Sequence, residues 1–333
     1  STTTSARSNL LLLPDTNYTT MTQLTSVLSA THLNELRFQF SRELRPRPYQ
    51  GTGPQVTITN AAVYGPPSAG SWGNVGFEST DNTYQLVDNF SLVTGAHTAK
   101  VGVDFHRLAG HALYNQASNG AYTFNNIDAL LARNPSSYQQ FTGSGSLDIA
   151  VNEVGLYVQD EWRVFPGVTI SPGLRYEAQF NPDYLKATTP QYRFPLATSI
   201  PDDTKMVAPR LGLAWDIGNS GKTVVRAGGG LFHAATYLSI LGQSILFNGG
   251  NPEKAFSITL NNTPANPNAI QNAFQSVGKN LTNAPLANLP AFEPSQGFAS
   301  FASLANLAPS YIDPNFRNPR ALQWQGGVER QIT

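Results

Sequence analysis

The chain has 333 residues, of which only 13% are charged, with a net charge of zero; that charged share is about half the usual ~25% of soluble domains, and no basic excess points to nucleic acid. There is no cysteine, which excludes disulfides, thiol chemistry and cysteine-based zinc or iron–sulfur sites. The 28 Gly, 23 Pro, 18 Phe and 13 Tyr suit turns and aromatic-rich strands better than helices.

Near the start, the apolar run Leu10 to Leu13 is too short to span a membrane as a helix. It lacks the basic flank and cleavage pattern of a signal peptide, so any export signal is expected outside this chain. Period-two alternation then marks nine segments: 18–29, 33–44, 83–94, 97–109, 152–164, 168–180, 207–217, 222–233 and 320–332. Each is longer than the common globular strand of about 5–6 residues and matches the ~9–11 residues a tilted strand needs to cross a membrane. The best helical stretch is Ile127 to Arg133. The connections alternate. Short turns fall at Ala30–His32, Gly95-Ala96, Phe165-Pro166-Gly167 and Gly218–Gly221. Long excursions cover 45–82, 110–151, 181–206 and 234–319. Tight turns on one side and long loops on the other are the pattern of bacterial outer-membrane barrels.

The segments have two unlike faces. Val168, Ile170, Leu174, Tyr176 and Ala178 alternate with Thr169, Ser171, Gly173, Arg175, Glu177 and Gln179. Leu36, Phe38 and Phe40 oppose Glu35, Arg37 and Gln39, and Leu211, Leu213 and Trp215 oppose Arg210 and Gly212. An Arg facing lipid at mid-membrane costs roughly 2–4 kcal/mol, so Arg37, Arg175, Arg210 and Arg226 are expected to face the lumen as structural charges, near Glu35, Glu161 and Glu177. Asp88 and Asp160 fall on apolar faces and are expected near a membrane boundary. Pro172 and Pro209 lack a ladder donor, so bulges or strand ends are expected there.

Catalytic and metal motifs are weak. His106 and His111 are the nearest approach to a metal site, without a matching partner, and no metal or cofactor is expected. Gly228-Gly229-Gly230 lacks the Lys-Ser/Thr of a phosphate loop, and Gly143-Ser144-Gly145-Ser146 lacks the nucleophile-elbow spacing. Asp160 and Glu161 are adjacent on a strand and face opposite ways. In the Asn-, Pro- and Phe-rich loop 234–319, Phe292, Phe298, Phe301 and Tyr311 are candidate ligand contacts, since aromatic and amide side chains stack on and hydrogen-bond to sugars or peptides.

The stretches Asn34-Glu35-Leu36-Arg37-Phe38, Asp88-Asn89-Phe90-Ser91, His97-Thr98-Ala99-Lys100-Val101-Gly102, Leu156-Tyr157-Val158-Gln159-Asp160-Glu161-Trp162, Ser171-Pro172-Gly173-Leu174-Arg175-Tyr176-Glu177, Ala208-Pro209-Arg210-Leu211-Gly212 and Gln323-Trp324-Gln325-Gly326-Gly327 resemble, in order and spacing, the barrel of TonB-dependent receptors. The likeness is strongest to the Oar-like group, whose members carry a carboxypeptidase-regulatory-like domain. The resemblance implies an all-β fold: an antiparallel transmembrane β-barrel of about 22 strands, plugged by an N-terminal domain and energised through TonB. On this reading residues 1–333 are a partial barrel in the bacterial outer membrane, without plug domain, signal peptide or C-terminal strands. Gly229 stands where relatives carry a larger residue. The expected function is uptake of a bulky solute of siderophore, glycan or peptide class, with outer-membrane lipid and the TonB complex as partners. The alternative is an Oar-like surface protein for adhesion or protein export. An open porin, a soluble sandwich and an enzyme rank below both.

Overall fold

The computed structural model describes residues 4–9, 12–46, 53–66, 77–114, 117–184, 199–248, 251, 255–293, 305–306 and 310–332. In chain order the strands are β1 (Thr4–Ser5), β2 (Thr16–Val27), β3 (His32–Arg45), β4 (Gln55–Ile58), β5 (Ala62–Tyr64), β6 (Phe77–Thr94), β7 (His97–Tyr114), β8 (Ala121–Phe124), β9 (Ser137–Thr142), β10 (Ser146–Phe165), β11 (Val168–Phe180), β12 (Asp203–Asp216), β13 (Thr223–His233), β14 (Phe256–Asn261), β15 (Ala305–Asn306) and β16 (Arg320–Arg330). Among the described residues the α-helices are α1 (Ile127–Leu131), α2 (Leu238–Leu246) and α3 (Ala269–Ser276).

All nine expected segments are strands of one sheet, ordered β16-β13-β12-β11-β10-β7-β6-β3-β2. Every neighbour is antiparallel. The sheet is a barrel wall that does not close on itself. Its register gathers the apolar positions on one face. Phe38 pairs with Leu86, Leu86 with Phe105, Phe105 with Val154 and Val154 with Ala178. Farther along, Ile170 pairs with Leu213 and Leu213 with Ala227. Phe38, Val158, Leu174 and Leu213 are 44%, 48%, 48% and 38% exposed. A face this apolar and this open is what a strand wall in hydrocarbon requires.

Three strands outrun the expectation. β6, β7 and β10 extend to 18, 18 and 20 residues. In β7 and β10 the phase of the alternation reverses at the outer end. Val101, Val103 and Phe105 lie on the open apolar face, whereas Ala112 and Tyr114 lie on the opposite face and are buried. Leu147, Ile149 and Val151 of β10 are buried with them. A period-two reading stops where the phase flips, although the hydrogen-bonded ladder continues.

The short connections are turns at 28–31, 95–96, 166–167 and 217–222. In the last, both carboxylate oxygens of Asp216 accept from the Gly221 N–H, at 3.0 and 2.8 Å. Asp160 lies beside the 95–96 turn, with its Oδ2 2.6 Å from His97 Nδ1. Asp88 lies between Leu86 and Phe90 on the apolar face of β6, where the Asn34 amide donates to it at 2.7 Å. No bulge forms at either proline. The β10–β11 ladder breaks after Gln159–Gly173, opposite the missing N–H of Pro172, and resumes at Trp162–Ile170 in the same register. Pro209 stands just outside the β12–β13 ladder, which starts at Arg210–Gly230. Gly229 lies between Leu211 and Trp324 on the apolar face.

The long excursions are not structureless. Three of them, with β1 from the N-terminal segment, build a second, seven-stranded sheet, β1-β5-β4-β8-β9-β14-β15. Its buried face, with Val56, Ile58, Tyr122, Phe124, Tyr138, Phe256 and Ile258, packs on α3 and on residues 281–292 around Ile270, Phe274, Leu281 and Phe292. α1 begins at Asn126, whose side chain accepts from the Ala129 N–H at 2.8 Å and so satisfies a first-turn donor.

The two faces of the wall predict opposite responses to charge. Leu174→Arg should destabilise the full-length protein in lipid by about 2–4 kcal/mol, and Gln159→Arg on the polar face by much less. Urea unfolding in phospholipid vesicles measures both, and equal costs would contradict the assignment of faces.

Candidate functional site

The polar face of the wall is organised in rows. One row crosses six strands through Glu35, Asn89, Gly102, Tyr157, Arg175 and Ala208. Tyr157 lies over Gly102 and donates its hydroxyl to Asn89 Oδ1. A Cβ at Gly102 would sit 2.7 Å from Asn89 Oδ1, so only glycine leaves room for the ring. Arg175 similarly lies over Gly155, with Nε 2.8 Å from Glu177 Oε1 and an amino nitrogen 3.5 Å from Asp104 Oδ2. Gln85 donates to the other Asp104 oxygen at 3.0 Å. His106 Nδ1 lies 3.2 Å from Glu153 Oε2. Half-buried, hydrogen-bonded charges of this kind hold each other in place.

The seven expected charges stand on this face; Arg175 pairs with Glu177, as expected of that neighbour, and the other contacts differ. Glu35 approaches Lys100 at 3.9 Å rather than Arg37. Arg226 approaches Glu329 at 3.4 Å. The Arg210 guanidinium stands 4.5 Å from the Phe232 ring centre. Among the described residues Arg37 and Glu161 form no ion pair. His106 and His111, five residues apart on β7, point to opposite faces, and His111 pairs with Asp148 at 2.8 Å.

The outer end of this face is covered. α2 buries Leu241, Ile245 and Leu246 against Tyr114, Leu147 and Ile149. Gly110 makes room for it, since a Cβ there would sit 2.8 Å from Leu238. Both ends of the long excursion after β13 are tied to the wall by neutral amides. Gln179, 0% exposed, accepts from the Thr236 N–H at 3.1 Å and from Asn318 Nδ2 at 2.7 Å, and donates to Asn181 at 2.7 Å. Thr236 donates to Asn318 Oδ1 at 2.7 Å, and the Asn318 N–H reaches Asp203 at 2.8 Å. Beneath this latch is a small cleft of about 60 Å³ lined by Asp104, His106, Glu153, Arg175, Glu177 and His233.

The expected ligand contacts divide. Phe292 is 1% exposed, a core residue stacked on Phe274 at 4.6 Å and 5°. Its backbone is clamped by Gln140, which accepts from its N–H and donates to its carbonyl, both at 2.9 Å. In this position it supports the outer layer and presents no surface to a ligand, which corrects its assignment as a contact. Tyr311 is 38% exposed. Phe298 and Phe301 lie outside the described residues. Burial pushes the Tyr122 and Tyr138 phenols above the ordinary tyrosine range. Their hydroxyls donate to Pro290 O at 2.5 Å and to Gln140 Oε1 at 2.6 Å.

Residues 9–333 match the family model described as "Outer membrane beta barrel domain". The chain belongs to that family. The barrel domain's setting is therefore the bacterial outer membrane. Among solved structures it is similar to the outer membrane transporter YddB from Escherichia coli, with 12% identity and a TM-score of 0.47, covering 78% of this chain and 30% of that one. It is also similar to the ferric citrate transporter FecA, with 13% identity and a TM-score of 0.38, covering 74% of this chain and 31% of that one. For the copper transporter OprC the identity is 13% and the TM-score 0.40, over 74% of this chain and 36% of that one. The barrel domain thus spans about a third of the length of these transporters. No curated protein matches by sequence.

Sequence reasoning missed Asp104, Glu153, Gln179 and Asn318. Alternation puts the first three on the polar face, but only register brings them together. In the barrel domain, Gln179→Leu should leave the Thr236 and Asn318 donors unpaired at about 1–3 kcal/mol each. Hydrogen exchange at 234–237 and 318–320 should accelerate while the wall keeps its protection. Phe274→Ala should cost the outer layer about 3–5 kcal/mol, seen as protease cleavage of the excursions with an intact wall. The raised phenol pKa values favour the neutral form in the folded layer. Their stabilising contribution is complete below about pH 10 and is lost as pH rises through the folded values. Proteolysis of the excursions at stepwise alkaline pH should therefore increase before the wall unfolds.

Proposed function

We propose that this chain is the wall and outer cover of a TonB-dependent receptor of the Oar-like kind, which imports a bulky solute of siderophore, glycan or peptide class. In the complete protein the wall belongs to a barrel of about 22 strands holding a plug, and TonB acts through the N-terminal region. The polar face is then the lumen wall. Glu35, Arg37, Glu161, Arg175, Glu177, Arg210 and Arg226 keep that wall hydrated and rigid, and outer-membrane lipid contacts the other face.

The observation that carries this reading is the cover. α2 and the Gln179–Asn318 latch hold the excursion after β13 against the outer end of the polar face. An organised mouth suits capture and gated passage better than free diffusion. Tyr311, Phe298 and Phe301 are the loop aromatics proposed to meet the solute. No bond is made or broken in this function, so no catalytic group is assigned.

A second reading is favoured by the seven-stranded outer sheet with its own core. Such a layer is also a ready surface for adhesion, or for handling exported proteins in the Oar-like manner. Growth of a deletion strain on candidate siderophores, glycans and peptides as limiting nutrients separates the two readings. Uptake should fall at least tenfold on deletion, equally on loss of TonB, and return with the full-length gene. A deletion that alters attachment or secretion but leaves uptake of every solute intact would discard transport in favour of the surface role.

A further inference from the structure

The outer sheet has a second face, opposite its core. Register across β4, β8, β9 and β14 places Thr57, Thr123, Ser137 and Asn261 in one row. Gln139 and Thr259 fall in the next row, beside Ala121. These six polar side chains are half-buried or exposed, and among the described residues none of them has a side-chain hydrogen-bond partner. No charged residue interrupts the rows. Four adjacent strands at about 4.8 Å spacing make the array roughly 14 Å wide.

At one end of the same face is Phe141, partnered with Ser257. Its ring centre is 5.7 Å from that of Phe247, at the C-terminal end of α2. The array therefore adjoins the helix that covers the polar side of the wall.

We propose that this face binds a neutral, hydroxyl-rich polymer, an uncharged glycan chain. Hydroxyl and amide side chains both donate and accept, as sugar hydroxyls do. A row of them with unspent capacity matches a ligand that carries such groups along its length. Phe141 supplies an apolar edge on which the C–H face of a sugar ring packs. A charged polymer would meet no counter-charge here, and an extended peptide would seek backbone edges, which a sheet face does not offer. The inference rests on the placement of the outer sheet beyond the membrane wall, and it narrows the reading above to one of its solute classes, uncharged glycans, with a site for them.

The test is native affinity electrophoresis of the full-length protein in detergent, through gels containing dextran, laminarin or galactomannan, with alginate as the anionic control. At least one neutral polysaccharide should retard the protein. The retardation should survive about 0.5 M NaCl, where exposed charge interactions are screened. The combined substitution Thr123→Val, Gln139→Leu, Thr259→Val should weaken binding at least about tenfold, as expected for three lost hydrogen bonds. Thr22→Val, on the wall, should bind as the parent does, and unchanged heat-modifiable migration verifies folding of each variant.

Retardation by alginate alone, by none of the neutral polymers, or equally in the triple variant overturns the proposal. So does concentration-dependent self-association that the same substitutions abolish without any response to polysaccharide. Glycan binding without import would sustain this inference while transport failed. Import of another solute without glycan binding would do the reverse.

Discussion

Hydrocarbon offers no partner for a backbone amide, so every N–H and C=O of a spanning segment must be satisfied by the chain itself. The wall meets that demand by pairing strand with strand from β16 to β2, and most other features answer to it. Strands must be long and in register. Side chains must then sort by face, because alternate residues meet different solvents. Glycine is used on the polar side, at Gly102 and Gly155, where Tyr157 and Arg175 lie flat across the neighbouring strand.

Sorting by face is why so much of the wall could be read from residues alone. Alternation in Val168–Phe180 gives the strand with the bounds the structure has, because one solvent acts on each face along its whole length. The reading shortened β7 and β10 because the environments change partway. Above Phe105 the polar face becomes the floor for α2, and Tyr114, Leu147 and Ile149 supply the apolar contact there. A reader who takes phase as fixed sees a strand end where the chain has only changed neighbours.

The outer layer was far less legible. Its strands are three to six residues long for β4, β5, β8, β9 and β14, too short to show a period. The pairings that join the sheet, β4 with β8 and β9 with β14, link separate excursions, so those partners are distant in sequence. Val56–Ile58, Tyr122–Phe124 and Tyr138 each look like isolated apolar residues until the sheet assembles them. Phe292 shows the cost of judging an aromatic by its loop. Composition marked it as a contact, but it sits under Gln140, whose amide makes hydrogen bonds to Tyr138, Ser118 and both backbone groups of Phe292. The polar-face cluster was legible residue by residue but not as a cluster. The turn at 166–167 marks β10 and β11 as a hairpin, but spacing alone does not give the register that brings Asp104, Glu153 and Arg175 together.

The order of the nine wall strands has a geometric consequence. Successive strands alternate in direction, so the first and last, β2 and β16, run the same way. Zipping one directly to the other would make a parallel seam in an otherwise antiparallel cylinder. Keeping the even, all-antiparallel arrangement of bacterial barrels calls for an odd number of additional strands between them. Among the described residues, the outer edges of β2 and β16 pair with no other strand, so one row of amides stands open on each flank of the arc.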